Sequence, residues 1–222
     1  MRKKTLIIAP HPDDETIGCG GTILRRKSEG AEVAWLIVTS ISEKGGWNKE
    51  KVIQRRKEIK EIERLYGFDS VYNLDFPSIE LDQIPTKVLI NAFSKVFVEF
   101  EPQEVFIPHY GDIHSDHRIV SEVATACTKW FRYPSVKSLL AYETASETEF
   151  NHSHRSTFHP NVYFNIENYI KSKLDILKVY ESELGEHPFP RSIRTLQALA
   201  DWRGSNSGFT SAEAFELLLL RD

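Results

Sequence analysis

The sequence predicts an α/β fold in which a parallel sheet carries helices on both faces. Short apolar segments alternate along the chain with longer segments whose apolar residues recur at helical spacing. The segment 33–39 is almost entirely apolar, which is typical of a parallel strand covered on both faces. The alternation of strand and helix up to Glu143 indicates right-handed crossovers and therefore a Rossmann-like sheet.

Strands and helices of this sheet can be placed in order along the chain. The predicted strands are 6–9, 33–39, 71–74, 104–108 and 138–142. The predicted helices cover 17–29, 49–66, 88–100 and a segment that begins in HYGDIHSDHRIV and runs through Trp130. Gly30 follows the first helix, and glycine readily adopts the left-handed conformation at a helix C-terminus.

The regular alternation stops after Glu143, and the remainder predicts a smaller C-terminal α/β extension. The segment 162–166 alternates as an edge strand does, and helices are expected over 169–184 and 192–201. The period of 212–220 does not distinguish helix from strand. Because no linker, repeat or low-complexity segment divides the chain, residues 1–222 are expected to form a single domain.

Composition argues against several classes of function. The formal net charge of −4 argues against a nucleic-acid-binding surface, which needs a basic face. No apolar segment approaches the ~18 residues of a membrane span, and the apolar segment near the N-terminus ends too soon for a secretion signal. Cys19 and Cys127 form no CxxC pattern, so a reduced, cytoplasmic protein is expected. The sequence does not determine the oligomeric state.

Two clusters of histidines and carboxylates follow the first and the fourth predicted strands. They consist of His11, Asp13, Asp14 and Glu15, and of His109, Asp112, His114, Asp116 and His117. In the common strand order these two strands are neighbours where the winding reverses, so the clusters are expected to meet in one crevice. Such groups are costly to crowd unless a cation neutralises them, and a divalent metal is the simplest such cation.

Each cluster also has an explanation that needs no metal. The segment 11–13 suits a turn, with Asp13 or Asp14 as the cap of the following helix. His114 and His117 share a helix face, where histidines are more often exposed than bound to metal, and Asp116 suits a helix start. These explanations are independent of one another, and each must also place its residues at the same edge of the sheet.

A catalytic zinc site commonly has three protein ligands and one position open for water. Here the ligands would be histidine and carboxylate side chains. An aspartate beside a ligand could act as general base on the metal-activated water. A further histidine could stabilise an oxyanion or protonate a leaving amine.

At these residues the chain resembles the PIG-L/LmbE family of metal-dependent N-deacetylases, which act on sugars of the N-acetylglucosamine type. The family's (A/P)HPDDE motif matches residues 10–15, and its HxDH motif matches residues 114–117. Further matches are Arg55-x-x-Glu58, Tyr180-x-Ser182, Arg203-Gly204 and the segment 212–215. The resemblance therefore spans nearly the whole chain.

The resemblance implies roles for residues of both motifs. His11, Asp14 and His117 would bind Zn²⁺ or another divalent metal such as Fe²⁺. Asp13 would be the general base, His114 would polarise the amide oxygen or act as an acid, and Asp116 would orient His114.

Substrate contacts follow from the same resemblance. Arg55 could hold a sugar hydroxyl or a phosphate, and Glu43, after the second strand, could contact the sugar. Asp112 stands where some members have a tyrosine, and because a carboxylate cannot donate as a phenol does, the contacts there are expected to differ. The loop 152–160, with His154, Arg155 and His159, either borders the pocket or is solvated.

The implied reaction removes the acetyl group from an N-acetylated amino sugar that is free, nucleotide-linked or part of a surface-polysaccharide precursor. This small-molecule substrate is the expected partner. A metal-dependent phosphoesterase is one alternative, although such sites often hold two metals and need more ligands. A non-catalytic sugar-binding relative is another, but it would have no need to retain Asp13.

Overall fold

The structure is a computed structural model and describes residues 2–152 and 156–222. The strands in these residues are β1 Lys4–Ala9, β2 Glu32–Ser40, β3 Ser70–Pro77, β4 Glu104–Pro108, β5 Ser138–Tyr142, β6 Val162–Asn165 and β7 Ala212–Leu220. The helices are α1 Asp14–Ser28, α2 Lys49–Tyr66, α3 Thr86–Phe100, α4 Ser115–Ala126, α5 Ile170–Leu177 and α6 Ile193–Ser205. Short 3₁₀ turns lie at Glu43–Gly45, Leu81–Gln83 and Glu181–Glu183.

The strands form one sheet in the order β3-β2-β1-β4-β5-β7-β6. Strands β1 to β5 are parallel, and β1 pairs with β2 on one side and with β4 on the other. The predicted α/β class and parallel strand order are therefore confirmed. The carboxyl ends of β1 and β4 lie side by side, at the point where open α/β sheets bind their ligands.

Alternate side chains of the central strands pack into two separate apolar layers. Leu6 and Ile8 of β1 face α3 and α4, whereas Ile7 and Ala9 face α1, α2, α5 and α6. Both layers are buried, which explains why strands such as β2 are apolar along almost their whole length. None of the helices in the described part of the chain combines the length and the apolar composition that a bilayer crossing needs.

The C-terminal extension adds an antiparallel edge to the sheet. The ambiguous segment at the C-terminus is a strand, β7, which lies antiparallel between β5 and β6. Glu213 of β7 accepts hydrogen bonds from the backbone N–H groups of Gly21 and Thr22 at 2.9 and 2.7 Å, and from Lys173 Nζ at 2.6 Å. Gly21 permits the close approach of Ile166, in the extension, to α1, because a Cβ at position 21 would lie 2.8 Å from Ile166 Cβ. The extension is thus anchored on α1.

Several element boundaries differ from the sequence-based expectation. Helix α4 ends at Ala126 rather than near Trp130. A turn follows Ala126, in which the N–H of Cys127 donates to the carbonyl of Ala124. Helix α5 ends at Leu177, because the chain leaves the helix to bring the Tyr180 hydroxyl to Glu15, at 3.0 Å. Strand β3 continues to Pro77 through an irregular pairing with β2.

Candidate active site

The two clusters meet at the carboxyl ends of β1 and β4, one from the β1–α1 junction and one from the start of α4. Asp14 Oδ2 lies 3.3 Å from His11 Nδ1 and 3.3 Å from His117 Nε2. One potential ligand atom from each of these three residues lies within 4.8 Å of the other two. This grouping of two imidazoles around a carboxylate has the composition of a divalent metal site.

The charges around this triad favour the binding of a cation. Asp14 Oδ1 is buried and has no hydrogen-bond partner in the described residues, which is costly for a carboxylate oxygen. Burial lowers the pKa of His11, but hydrogen bonds to Asp116 and Asp14 outweigh it and raise the pKa to about 9. Burial acts in the same way on His117, whose pKa the charge of Asp14 raises to about 10. The carboxylates thus attract positive charge, and a metal ion would supply it in place of two protons.

Asp112 supports the triad from behind. Its Oδ2 lies 2.8 Å from His117 Nδ1, and its Oδ1 accepts a hydrogen bond from Thr148 Oγ1 at 2.6 Å. A proton held on Nδ1 by this carboxylate leaves Nε2 of His117 free to bind a metal. Asp112, predicted as a substrate contact, is buried and does not line the cavity described below.

His114 caps the N-terminus of α4 and presents its ring to the same crevice. Its Nδ1 accepts a hydrogen bond from the backbone N–H of Asp116 at 3.1 Å. Because Nδ1 is an acceptor, the proton of the neutral ring is on Nε2, which can donate. Burial, together with the charges of His11 and His117, lowers the pKa of His114 to about 4, in keeping with a neutral ring.

Asp116 contacts His114 through its backbone and directs its carboxylate elsewhere. Its Oδ2 accepts a hydrogen bond from the N–H of Ile79 at 2.8 Å and lies 3.1 Å from His11 Nε2. Its Oδ1 accepts from the N–H of Leu81 at 3.3 Å. The carboxylate therefore ties the loop after β3 to the site, and any orientation of His114 by this residue comes from the amide.

Asp13 lies beside the triad in an unusual backbone conformation. Its φ of 140° belongs to a region that side-chain-bearing residues rarely adopt, and such strain is frequent at functional sites. Its carboxylate accepts a hydrogen bond from Arg191 Nη1 at 2.7 Å. Burial and the negative charge of Asp14 raise the pKa of Asp13 to about 7, although Arg191 opposes them. A carboxyl with such a pKa can both take up and release a proton near neutrality.

Glu15 is the third acid of the first motif, and it faces inward. It accepts hydrogen bonds from Thr16 Oγ1 at 2.6 Å and from the Tyr180 hydroxyl at 3.0 Å, and its other oxygen accepts from the N–H of Asp13 at 3.0 Å. Burial raises its pKa to about 8. Glu15 therefore holds the strained backbone of Asp13 rather than facing the crevice.

A cavity of about 190 Å³ opens over Asp13 and His114. The side chains around it come from His11, Pro12, Asp13, Thr39, Ser40, Ile41, Trp47, Arg55, Ser78, Ile79, His114, Glu147, Glu183 and Arg191. Arg55 therefore lies at the cavity, and its contact with a substrate stays a prediction. Glu43 does not lie there: it begins an exposed 3₁₀ turn, and its loop contributes Ile41 and Trp47 instead.

Arg55 is already engaged on all three guanidinium nitrogens. Its Nε lies 3.1 Å from Glu58 Oε2, its Nη1 donates to the carbonyl of Pro12 at 2.5 Å, and its Nη2 donates to Glu183. Arg191 is similarly paired, with Asp13, Glu147 and Glu183 as partners. Both arginines at the cavity are thus balanced by carboxylates.

Sequence reasoning missed the residues that reach the cavity from the C-terminal half. Arg191 and Glu147 lie in segments with no motif, and Glu183 lies just after the Tyr180-x-Ser182 match. The packing of the extension brings all three to the cavity beside Asp13. The sequence signal for Trp47 is an aromatic residue in the polar loop 40–48, which follows the second predicted strand and so lies at the same edge as the clusters. His154 and Arg155 of the 152–160 loop lie outside the described residues, and His159 does not line the cavity.

Comparison with known proteins gives a match over the region that contains both motifs. Residues 6–128 match the model of the PIG-L family, described as GlcNAc-PI de-N-acetylase. The chain belongs to the PIG-L family. This PIG-L chain is 27% identical over 232 residues to the diacetylchitobiose deacetylase of Thermococcus kodakarensis, an alignment that covers 97% of this chain and 83% of the relative. The predicted family is therefore confirmed.

Two further relatives of this PIG-L chain are similar at a comparable level. A Bacillus cereus protein named "Probable N-acetyl-alpha-D-glucosaminyl L-malate deacetylase 2" is 26% identical over 126 residues, covering 53% of this chain and 57% of the relative. The solved structure of N,N′-diacetylchitobiose deacetylase from Pyrococcus horikoshii, in complex with an inhibitor, superposes with a TM-score of 0.77. It is 26% identical, with 98% of this chain and 84% of that chain covered.

Proposed function

We propose that this protein is a metal-dependent N-deacetylase that hydrolyses the acetamido group of an N-acetylglucosamine-type sugar. The observation that carries the proposal is the His11–Asp14–His117 triad, beside a buried Asp13 at the edge of an open cavity. Relatives that are named as deacetylases of N-acetylglucosamine derivatives support the same reaction.

The metal would be held by His11, Asp14 and His117, with Zn²⁺ as the expected ion and Fe²⁺ as a possible substitute. The unpartnered Asp14 oxygen and the Nδ1 contact of His117 with Asp112 fit this assignment. Such an ion, when bound, supplies Lewis acidity that polarises water and the amide carbonyl.

Asp13 is the proposed general base. Its carboxylate takes a proton as the water oxygen bonds to the amide carbon, and it returns that proton to the nitrogen as the carbon–nitrogen bond breaks. Acetate and a free amino sugar are the products. Arg191 fixes the carboxylate through its 2.7 Å hydrogen bond, so that the lone pair of the second oxygen can face the cavity.

His114 is the proposed donor to the amide oxygen. Its acceptor bond from the Asp116 amide places the ring proton on Nε2, the atom that can stabilise negative charge developing on that oxygen. A preorganised donor needs no rearrangement during the reaction. This role depends on the tautomer and not on a change of protonation.

The alternative phosphoesterase function is less well supported. Its sites often contain two metals, but both candidate ligand groups in the described residues share His11. The cavity arginines are neutralised by carboxylates, which leaves little positive potential for a phosphate. A purely binding relative would have no use for a strained and buried Asp13 next to the triad.

Acetate release tests the proposal directly. Purified, zinc-loaded protein is incubated with N-acetyl amino sugars that are free, phosphorylated, nucleotide-linked or inositol-linked, and acetate is quantified. Release from at least one class, absent with Asp13→Asn, is the expected result. Phosphate release without acetate, together with about two metals per chain, would instead assign a phosphoesterase.

A further inference from the structure

The crevice over the metal triad does not end at the cavity that Asp13 and His114 line. A second cavity of about 310 Å³ adjoins it along α2. The two share Ile41, Trp47, Arg55 and Glu183 as lining residues. A single cleft therefore runs from the triad outward between α2 and the 3₁₀ turn at Glu181–Glu183.

The outer end of this cleft has the chemistry of a sugar-binding surface. Trp47 is half-buried and lines both cavities, so its ring lies at the boundary between them. Lys51, Gln54 and Ser182 line only the outer cavity and present exposed donor and acceptor groups. An aromatic platform with a few polar groups around it matches a pyranose, which has apolar C–H faces and a hydroxylated rim.

The charges along the cleft favour a neutral occupant. Arg55 at the junction is held by Glu58 and Glu183, so its charge is already compensated. Arg191, in the inner cavity, is paired with Asp13, Glu147 and Glu183 in the same way. The remaining cation of the outer cavity is Lys51, whose Nζ lies over one face of the Trp47 ring, 5.6 Å from its centroid. One exposed lysine beside two buried or half-buried carboxylates makes a poor site for a phosphate or a nucleotide diphosphate.

We infer that the outer cleft is a subsite for a second, neutral sugar ring, stacked on Trp47 and linked to the N-acetyl sugar over the triad. This inference rests on the proposed function, because it assigns the acetamido group to the inner cavity. It makes Trp47 a specificity-determining residue and makes neutral di- or oligosaccharides the preferred substrate class over sugar phosphates and nucleotide sugars.

Steady-state kinetics on matched substrates test the subsite. Zinc-loaded protein is assayed for acetate release with N-acetylglucosamine, with neutral disaccharides that extend it at C1 or at O4, and with its 1-phosphate. At least one disaccharide is expected to exceed the monosaccharide about tenfold in kcat/KM. Trp47→Ala is expected to bring that disaccharide-to-monosaccharide ratio close to one, and Trp47→Phe to restore part of it.

Trp130→Ala is the matched control, since Trp130 is an exposed tryptophan that lines neither cavity. It should leave the ratio unchanged. A wild-type ratio of one or below, or a ratio that Trp47→Ala does not alter, would overturn the subsite while leaving the deacetylase function intact. A preference for the 1-phosphate that Lys51→Ala removes would assign the outer cleft to an anion and would overturn it equally.

Binding measurements keep the subsite separate from the reaction. Calorimetric titration of zinc-loaded Asp13→Asn with the same neutral sugars compares affinities without turnover. Tighter binding of a disaccharide that depends on Trp47 would uphold the subsite even if no acetate is released, in which case only the proposed function fails. Equal affinities for mono- and disaccharide would refute the subsite.

Discussion

Asp13 combines a strained backbone, a buried carboxylate and a fixed arginine partner, which is the pattern of a general base held ready for use. Asp13→Asn keeps the shape but removes the basic oxygen. We expect kcat to fall by about 10²–10⁴-fold. Metal content, measured by elemental analysis, should stay at the wild-type value because the triad is untouched.

Asp175→Asn is a suitable control for that substitution. Asp175 lies on α5 and pairs with Lys178 at the surface, 2.6 Å away, so the same chemical change there should leave kcat unaltered. Near-normal kcat in Asp13→Asn would remove Asp13 from the role of base. Loss of metal in that variant would instead show that it acts through the triad.

The contact between Asp112 and His117 makes a graded prediction about metal affinity. His117→Ala deletes a ligand and should abolish stoichiometric zinc binding. Asp112→Asn removes only the charge behind the imidazole, so the zinc Kd should rise about 10–100-fold. Competition with a fluorescent chelator measures both. A wild-type Kd in Asp112→Asn would show that this carboxylate does not tune the ligand.

The local sequence could predict that the two clusters meet, and the family resemblance implies which three residues form the triad, but neither could predict the whole cavity. His11, Asp14 and His117 follow strands whose adjacency is a general property of doubly wound sheets. The resemblance predicts Asp112 at the substrate, and sequence spacing cannot reveal that its carboxylate instead faces His117. The contact of Arg191 with Asp13 could not be predicted from local sequence, because the two residues are 178 positions apart in the chain.

At the scale of elements, β4 is fastened to β1 and α1 by a buried ion-pair network. Glu104 accepts hydrogen bonds from Arg26 at 2.7 and 2.9 Å, from Lys3 at 2.7 Å and from Thr5 at 3.0 Å. Glu104→Gln removes the buried carboxylate partner of Arg26 and leaves the exposed Glu29, 2.9 Å from Arg26 Nη1, as its remaining ion-pair partner. We expect the free energy of unfolding at pH 7, measured with urea, to fall by about 3 kcal/mol.

The same network carries a pH dependence. Burial raises the pKa of Glu104, but hydrogen bonding and charge from Arg26 outweigh it, so the pKa lies below its usual value. A lowered pKa in the folded state stabilises the protein above the unfolded pKa, and this contribution disappears as the pH falls through the folded pKa. The stability gap between wild type and Glu104→Gln should therefore shrink below about pH 4.5.

The exposed pair of Glu61 and Arg64 on α2 provides the comparison for that element-scale test. Glu61→Gln should leave the free energy of unfolding almost unchanged, because solvent screens surface pairs. If the two glutamine variants were equally stable, the buried network would contribute no more than a surface pair does.

At the scale of the whole molecule, the site is assembled from distant parts of the chain. The parallel sheet supplies the triad, and the loop after β3 is tied in by Asp116. The extension supplies Arg191 and Glu183. It is held in place by Glu213 of β7, which accepts a hydrogen bond from the backbone of α1. The base and its arginine are therefore aligned only when the C-terminal extension is docked on the sheet.

A bound metal would join the β1 and β4 halves of this assembly, so its removal should lower global stability. A ligand that binds only the folded state at about 100 times its Kd stabilises by roughly 2.7 kcal/mol. For a chain of this length that corresponds to a decrease in Tm of about 5–10 °C on chelation. Differential scanning calorimetry with and without a chelator measures the shift. His117→Ala should show almost no response to the chelator, and an identical Tm for wild type in both conditions would mean that no ion bridges the two strands.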